Sequence, residues 1–80
     1  MKRIVVTGAA GQIGTEMVSA LREAYGEDAV LATDIRSPSR ADSEGPFAHV
    51  DVTNGESLDA AVARHRADTV IHLAAILSAV

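Results

Sequence analysis

Three glycines and one aspartate carry the chemistry that can be read from this chain. Gly8, Gly11 and Gly14 stand three apart in the run Thr7-Gly8-Ala9-Ala10-Gly11-Gln12-Ile13-Gly14, and Asp34 follows twenty residues later. Glycines so spaced let a chain turn tightly, bring its backbone against an anion, and start a closely packed helix. The anion that suits this arrangement is a pyrophosphate. It would rest on unpaired N–H groups at the helix start, expected at Gly11 to Ile13, where the helix dipole is positive. Ala9 and Ala10 are expected to keep the mouth of the turn narrow. No Gly-Lys-Ser/Thr follows the glycines, so the spacing is not that of a kinase-type phosphate loop.

These residues need elements to position them, and the pattern supplies them. Ile4-Val5-Val6 is a short apolar strand that leads into the glycine turn. Ile13, Met17, Leu21 and Ala24 then recur as the apolar stripe of an amphipathic helix. Val30-Leu31-Ala32 is a second strand ending in Asp34. Strand, glycine turn, helix, strand and terminal acid are the dinucleotide-binding arrangement.

Asp34 ends the second strand, where its carboxylate can accept from the adenosine ribose hydroxyls. A negative charge there repels a 2′-phosphate, which favours NAD over NADP. Arg36, two residues on, pairs with a phosphate, lies over the adenine face, or is a solvated surface charge. The segment Ile35 to Pro46 is polar, broken by proline and glycine, and reads as an exposed connection.

Phe47-Ala48-His49-Val50 is a third strand closed by Asp51-Val52. Asp51 either accepts from the adenine amino group, with the Val52 amide facing a ring nitrogen, or helps to cap the next helix. A capping box is expected next, with Thr53 as N-cap and Glu56 reaching back. The helix runs from about Glu56 to Arg66, with Leu58, Ala61, Val62 and His65 on one face. Thr69 to Ala75 is a fourth, almost continuously apolar strand. His72 within it reads as a hydrogen-bonded structural histidine rather than a catalytic one. Ser78 lies just beyond, at the mouth of the crevice, as a candidate substrate contact.

Such apolar strands imply a parallel sheet covered on both faces. Right-handed crossovers order the strands 3-2-1-4. The fold class is therefore α/β, the amino-terminal half of a Rossmann-type doubly wound parallel sheet. Strand order reverses between strands 1 and 4, which places the ligand crevice at their carboxyl ends, between Gly8 to Ile13 and Leu73, Ala74 and Ala75.

Composition narrows the classes further. With 80 residues, 48% hydrophobic content, one Tyr, one Phe and no Trp, the core must be aliphatic. A chain of this length buries only ~60% of its unfolded surface and is marginal alone. There is no cysteine, hence no disulfide, thiolate nucleophile or cysteine zinc site, and His49, His65 and His72 lack metal-ligand spacing. A net charge of −4 argues against a nucleic-acid surface. No targeting peptide is read before the first strand, and Val70 to Val80 is far short of the ~20 residues that span a bilayer. A cytoplasmic protein is the simplest expectation.

The glycine run matches the TGxxGxxG motif of the extended short-chain dehydrogenases. Asp34-Ile35-Arg36, Asp51-Val52-Thr53 and His72-Leu73-Ala74-Ala75 fall where that superfamily has its further cofactor contacts. More narrowly, Gly11-Gln12-Ile13-Gly14-Thr15-Glu16 and His72-Leu73-Ala74-Ala75-Ile76-Leu77-Ser78-Ala79 resemble the short-chain-type L-threonine 3-dehydrogenases, relatives of the nucleotide-sugar epimerases. The resemblance implies that Gly8, Ala9, Gly11, Gln12, Ile13 and Gly14 hold the pyrophosphate of NAD, that Asp34, Ile35 and Arg36 hold the adenosine ribose, and that Asp51 and Val52 hold the adenine. Leu73, Ala74 and Ala75 would line the cofactor's ribose side, and Ser78 would approach an L-threonine-like substrate. The implied reaction moves a hydride from the β-carbon of L-threonine to NAD, giving 2-amino-3-oxobutanoate, in a homodimer.

The family's catalytic Tyr-x-x-x-Lys has no counterpart, because the single tyrosine, Tyr25, is followed four residues later by Ala29. Residues 1–80 are thus expected to be the amino-terminal portion of a dinucleotide-binding domain, with the catalytic and substrate regions outside the chain and no activity alone. The same portion of a nucleotide-sugar epimerase/dehydratase, or a non-catalytic NAD-sensing module, are the alternatives.

Overall fold

A computed structural model describes residues 2–36 and 45–73 of the chain. Four strands, β1 (Ile4–Thr7), β2 (Val30–Asp34), β3 (Phe47–His49) and β4 (Thr69–His72), form one sheet in the order β3-β2-β1-β4. Every pairing is parallel: Ile4 to Thr7 run beside Val30 to Thr33 on one side and Thr69 to His72 on the other. Asp34 pairs with His49, so the ends of β2 and β3 are level. This is the expected topology. The carboxyl ends of β1, β2 and β3 converge at one rim, where Gly8 to Gly14, Asp34, Ile35, Arg36, Asp51 and Val52 follow them.

Central β1 is buried along its whole length, because helices cover both of its faces. Helix α1 (Gln12–Tyr25) packs on one face, where Ile4, Val6, Val18, Ala29, Val30 and Ala32 form the core. Helix α2 (Gly55–His65) packs against β1 and buries Ala61 and His65. Fully burying a Val- or Ile-sized side chain contributes ~1.5–3 kcal/mol, so the β1 residues alone anchor the sheet. At the edge the coverage is thinner. Strand β4 alternates half-buried and exposed residues, with Val70 42% exposed, and is not the two-sided strand its composition implied.

The buried face of α1 also differs from expectation. Gly14, Val18 and Arg22 face inward, whereas Ile13 is 57% exposed, Ala24 is exposed, and Met17 and Leu21 are only half-buried. The helix is turned by about one residue from the apolar stripe. A Cβ on Gly14 would lie 2.2 Å from the Gly8 carbonyl oxygen and 2.7 Å from the Ala9 Cα. That close approach sets the rotation, and it puts Arg22 inside. The Arg22 guanidinium spends its charge on backbone, donating to the Val30 carbonyl at 3.1 Å and the Pro46 carbonyl at 2.6 Å.

The start of α2 corrects the capping box. Asn54, not Thr53, is the N-cap, its Oδ1 accepting from the amides of Glu56 (3.1 Å) and Ser57 (3.3 Å). Thr53 is unavailable because Asp51 Oδ1 takes both its amide (2.9 Å) and its hydroxyl (2.6 Å). Asn54→Ala is expected to lower stability by about 1 kcal/mol, read as a shift in urea midpoint at constant slope; Thr53→Ala should leave the helix cap intact. The helix ends at Arg66, in a left-handed conformation (φ 55°), with the Ala67 amide returning to Val62.

Candidate functional site

The site begins at Gly8, whose φ of 70° turns the chain off β1. The turn is stitched to the end of β2. The Ala9 amide donates to the Thr33 carbonyl at 3.0 Å, and the Ala10 amide donates to Asp34 Oδ2 at 2.9 Å. Ala9 is fully buried in the core cluster, so its methyl supports the turn from beneath and does not narrow its mouth. Ala10 is not among the residues expected to hold the cofactor. Only its backbone acts here, and every residue type but proline supplies an amide donor, so the sequence carries almost no signal for it.

Helix α1 starts with Gly11 as N-cap, in extended conformation and with no capping side chain. The Gly11 amide donates back to the Gly8 carbonyl at 3.3 Å. The open donors are therefore those of Gln12, Ile13 and Gly14, one residue further on than expected, because the Gly8 turn folds its own carbonyl onto Gly11. No acidic side chain occupies the first turn, so the helix itself places no negative charge at its positive end. This arrangement fits a pyrophosphate: a row of amides, a backbone uncluttered at Gly11, and the helix dipole behind them.

Asp34 stands beside this turn with its side chain 4% exposed. Oδ1 accepts from the Arg36 amide (3.0 Å) and Arg36 Nε (3.3 Å); Oδ2 accepts from the Ala10 amide and Arg36 Nη2 (3.3 Å). Burial of the carboxyl works to raise its pKa. The Arg36 side chain, the Arg36 and Ala10 amides and the Arg36 charge outweigh it, holding the group below its ordinary value. Arg36 is thus neither a free surface charge nor a preformed phosphate ligand but a partner of Asp34. Its own charged form is reinforced in return.

The Val50 amide donates to the Asp34 carbonyl at 3.2 Å, bringing Asp51 and Val52 to the same rim. Asp51 is exposed and turned onto Thr53, whose hydroxyl and amide lower its pKa. Of the two roles foreseen for it, direct capping of α2 falls to Asn54 instead, while Asp51 Oδ1 holds Thr53. Ile35 is 68% exposed just past Asp34, and Ile13 is exposed in the first turn of α1. His72 bonds through Nδ1 to the Thr7 hydroxyl at 3.0 Å, as a structural histidine would. Leu73 packs against the core cluster beside β1. Ala74, Ala75 and Ser78, and most of the connection between β2 and β3, lie outside the described residues. No helix among the described residues is long and apolar enough to cross a membrane.

Sheet order and glycine turn define a Rossmann-type α/β fold. The chain belongs to the NAD dependent epimerase/dehydratase family, whose model matches residues 4–80. It is 57% identical over 81 residues to an uncharacterized epimerase/dehydratase of Staphylococcus haemolyticus, covering 99% of this chain and 26% of that protein. The chain thus spans about a quarter of the length of the curated relatives it matches. Among solved structures it is similar to the L-threonine dehydrogenase of Clostridium difficile, with a TM-score of 0.85 and 38% identity over 90% of this chain and 23% of the other. It is also similar to the holo form of a GalE-like L-threonine dehydrogenase from Cupriavidus necator, with a TM-score of 0.82 and 32% identity over 89% of this chain and 23% of that one.

Proposed function

We propose that this chain is the NAD-binding portion of an oxidoreductase that converts L-threonine and NAD to 2-amino-3-oxobutanoate and NADH. The observation that carries the cofactor half of this reading is the meeting of two features at one rim. The open amides of Gln12, Ile13 and Gly14 suit a pyrophosphate, and the Asp34 carboxylate lies one strand over, where a ribose would fall. The amides would hold and orient the diphosphate. Asp34 would receive the adenosine hydroxyls and disfavour a 2′-phosphate. Ile13 and Ile35, both exposed, would lie against the apolar parts of the nucleoside. When bound, NAD supplies the hydride acceptor. No Tyr-x-x-x-Lys occurs among these 80 residues, so the reading assigns none of them to moving the substrate proton. The same reading makes the protein a cytoplasmic homodimer.

Threonine is favoured as substrate by the likeness to L-threonine dehydrogenases over about nine-tenths of the chain. The name of the Staphylococcus relative favours a second reading, the same cofactor portion serving a nucleotide-sugar epimerase or dehydratase. Incubating the intact protein with NAD and either L-threonine or a nucleotide-hexose separates them. NADH formation with threonine alone is expected. Turnover of the nucleotide-hexose without net NADH would move the assignment to the second reading.

A further inference from the structure

A carboxylate offers about four lone-pair positions on its two oxygens. In Asp34 the chain itself fills four: the Ala10 amide at 2.9 Å, the Arg36 amide at 3.0 Å, and Arg36 Nε and Nη2 at 3.3 Å each. A ribose diol that needs two acceptors must therefore displace something. The two amides are the short bonds and are fixed by the backbone. The two guanidinium bonds are the long ones, and their side chain is 58% exposed. Arg36 is the group that can leave.

We infer that the Arg36 guanidinium is a displaceable latch on Asp34, one that a cofactor's ribose must open and that thereby sets the preference between NAD and NADP. This rests on the NAD-binding reading above. With the latch closed, Arg36 Nε and Nη2 occupy the acceptor positions a 2′,3′-diol would use. With the diol bound, the guanidinium swings out beside the ribose, tethered by its own backbone amide on Asp34 Oδ1. A released guanidinium at that spot is a bidentate ligand for a 2′-phosphate. The same residue therefore competes with NAD and helps NADP. Asp34 repels the phosphate while Arg36 attracts it, so the chain's discrimination is weaker than a lone aspartate would give.

Arg36→Gln separates this from the other roles an arginine here can play. The variant keeps the backbone amide on Asp34 and removes the fork, and the side chain's exposure means that folding does not depend on it. NAD and NADP are titrated calorimetrically into the intact wild-type protein, Arg36→Gln and Arg36→Lys. In Arg36→Gln, NAD should bind about threefold more tightly, the scale of an exposed ion pair removed as competitor. NADP should bind about tenfold more weakly, the scale of one charge-assisted hydrogen bond to a phosphate. Arg36→Lys, which keeps charge without the fork, should tighten NAD while retaining much of the NADP binding. Weakening of both cofactors together in Arg36→Gln would make Arg36 a direct adenosine contact and overturn the latch. No change in either would overturn it as well. Failure of the wild type to take up either cofactor would instead overturn the NAD reading itself, before any variant is compared.

Discussion

Replacing Gly14 with alanine is expected to abolish most cofactor binding and to destabilise the fold by about 2 kcal/mol. Two opposed effects decide the sign. Alanine is favoured over glycine within a helix by ~1 kcal/mol. Against this, the new methyl would sit 2.2 Å from the Gly8 carbonyl oxygen, 2.7 Å from the Ala9 Cα and 2.9 Å from the Ala9 carbonyl carbon. All three are backbone atoms, so no rotamer change relieves the overlap, and overpacking of this kind costs about 3 kcal/mol. The clash wins. Relief must come from moving the turn away from α1, which re-aims the amides of Gln12 and Ile13. Each bond such an amide would donate to a diphosphate is worth about 1.5 kcal/mol, so losing two should lower NAD affinity on the order of 100-fold. Urea unfolding and calorimetric titration read the two effects separately. Gly55→Ala is the control, because a Cβ there meets nothing within 4 Å; it should leave stability unchanged or slightly raised. A Gly14→Ala protein as stable as wild type would remove the close approach from the account of the site.

Asp34→Ala should have the other large effect. It strands the Ala10 amide, which now donates to Oδ2 at 2.9 Å, and frees the Arg36 guanidinium. Loss of a hydrogen bond to a charged group costs ~1.5–3 kcal/mol when buried, so a destabilisation near the lower end of that range is expected. NAD should weaken by about tenfold or more while NADP gains, and the ratio of their affinities should fall by roughly 100-fold. Equal loss of both cofactors would show that Asp34 only supports the turn. The stability effect carries a pH signature. The folded carboxyl titrates below its ordinary value, whereas the unfolded one titrates near ~3.9. The unfolded chain therefore takes up the proton first as acid is added. The Asp34 contribution is complete above the unfolded value and disappears as pH falls through the lower, folded one. The gap in unfolding free energy between wild type and Asp34→Ala should be full at neutral pH and closed in strong acid.

What the sequence disclosed was whatever depends on period and spacing. Ile4-Val5-Val6 and Val30-Leu31-Ala32 are strands because their apolar runs are short and bounded by turns, and the handedness of crossovers then orders the sheet. Gly8 and Gly14 were legible because glycine adopts a φ of 70° without strain and because a Cβ at position 14 would lie 2.2 Å from the Gly8 carbonyl oxygen. What remained hidden depends on competition between neighbours. The buried seam of α1 runs through a glycine and an arginine, residues that hydrophobic counting discards. Thr53 and Asn54 are both good caps, and the choice fell to Asn54 only because Asp51 reaches Thr53 first. Residue identity placed Asp34 at the rim, but its four partners are a matter of three-dimensional proximity. Backbone donors such as Ala10 leave no trace in residue type.

Arg22 has a consequence for how this architecture tolerates change. From the middle of the core it grips the Pro46 carbonyl one residue before β3 begins, and the Ala32 amide takes the same oxygen at 3.1 Å. The start of the edge strand is thereby fastened from both α1 and β2. A change in the number of residues between Arg36 and Gly45 is therefore expected to leave β3 in register beside β2, with the acid at the end of β2 still at its place on the rim.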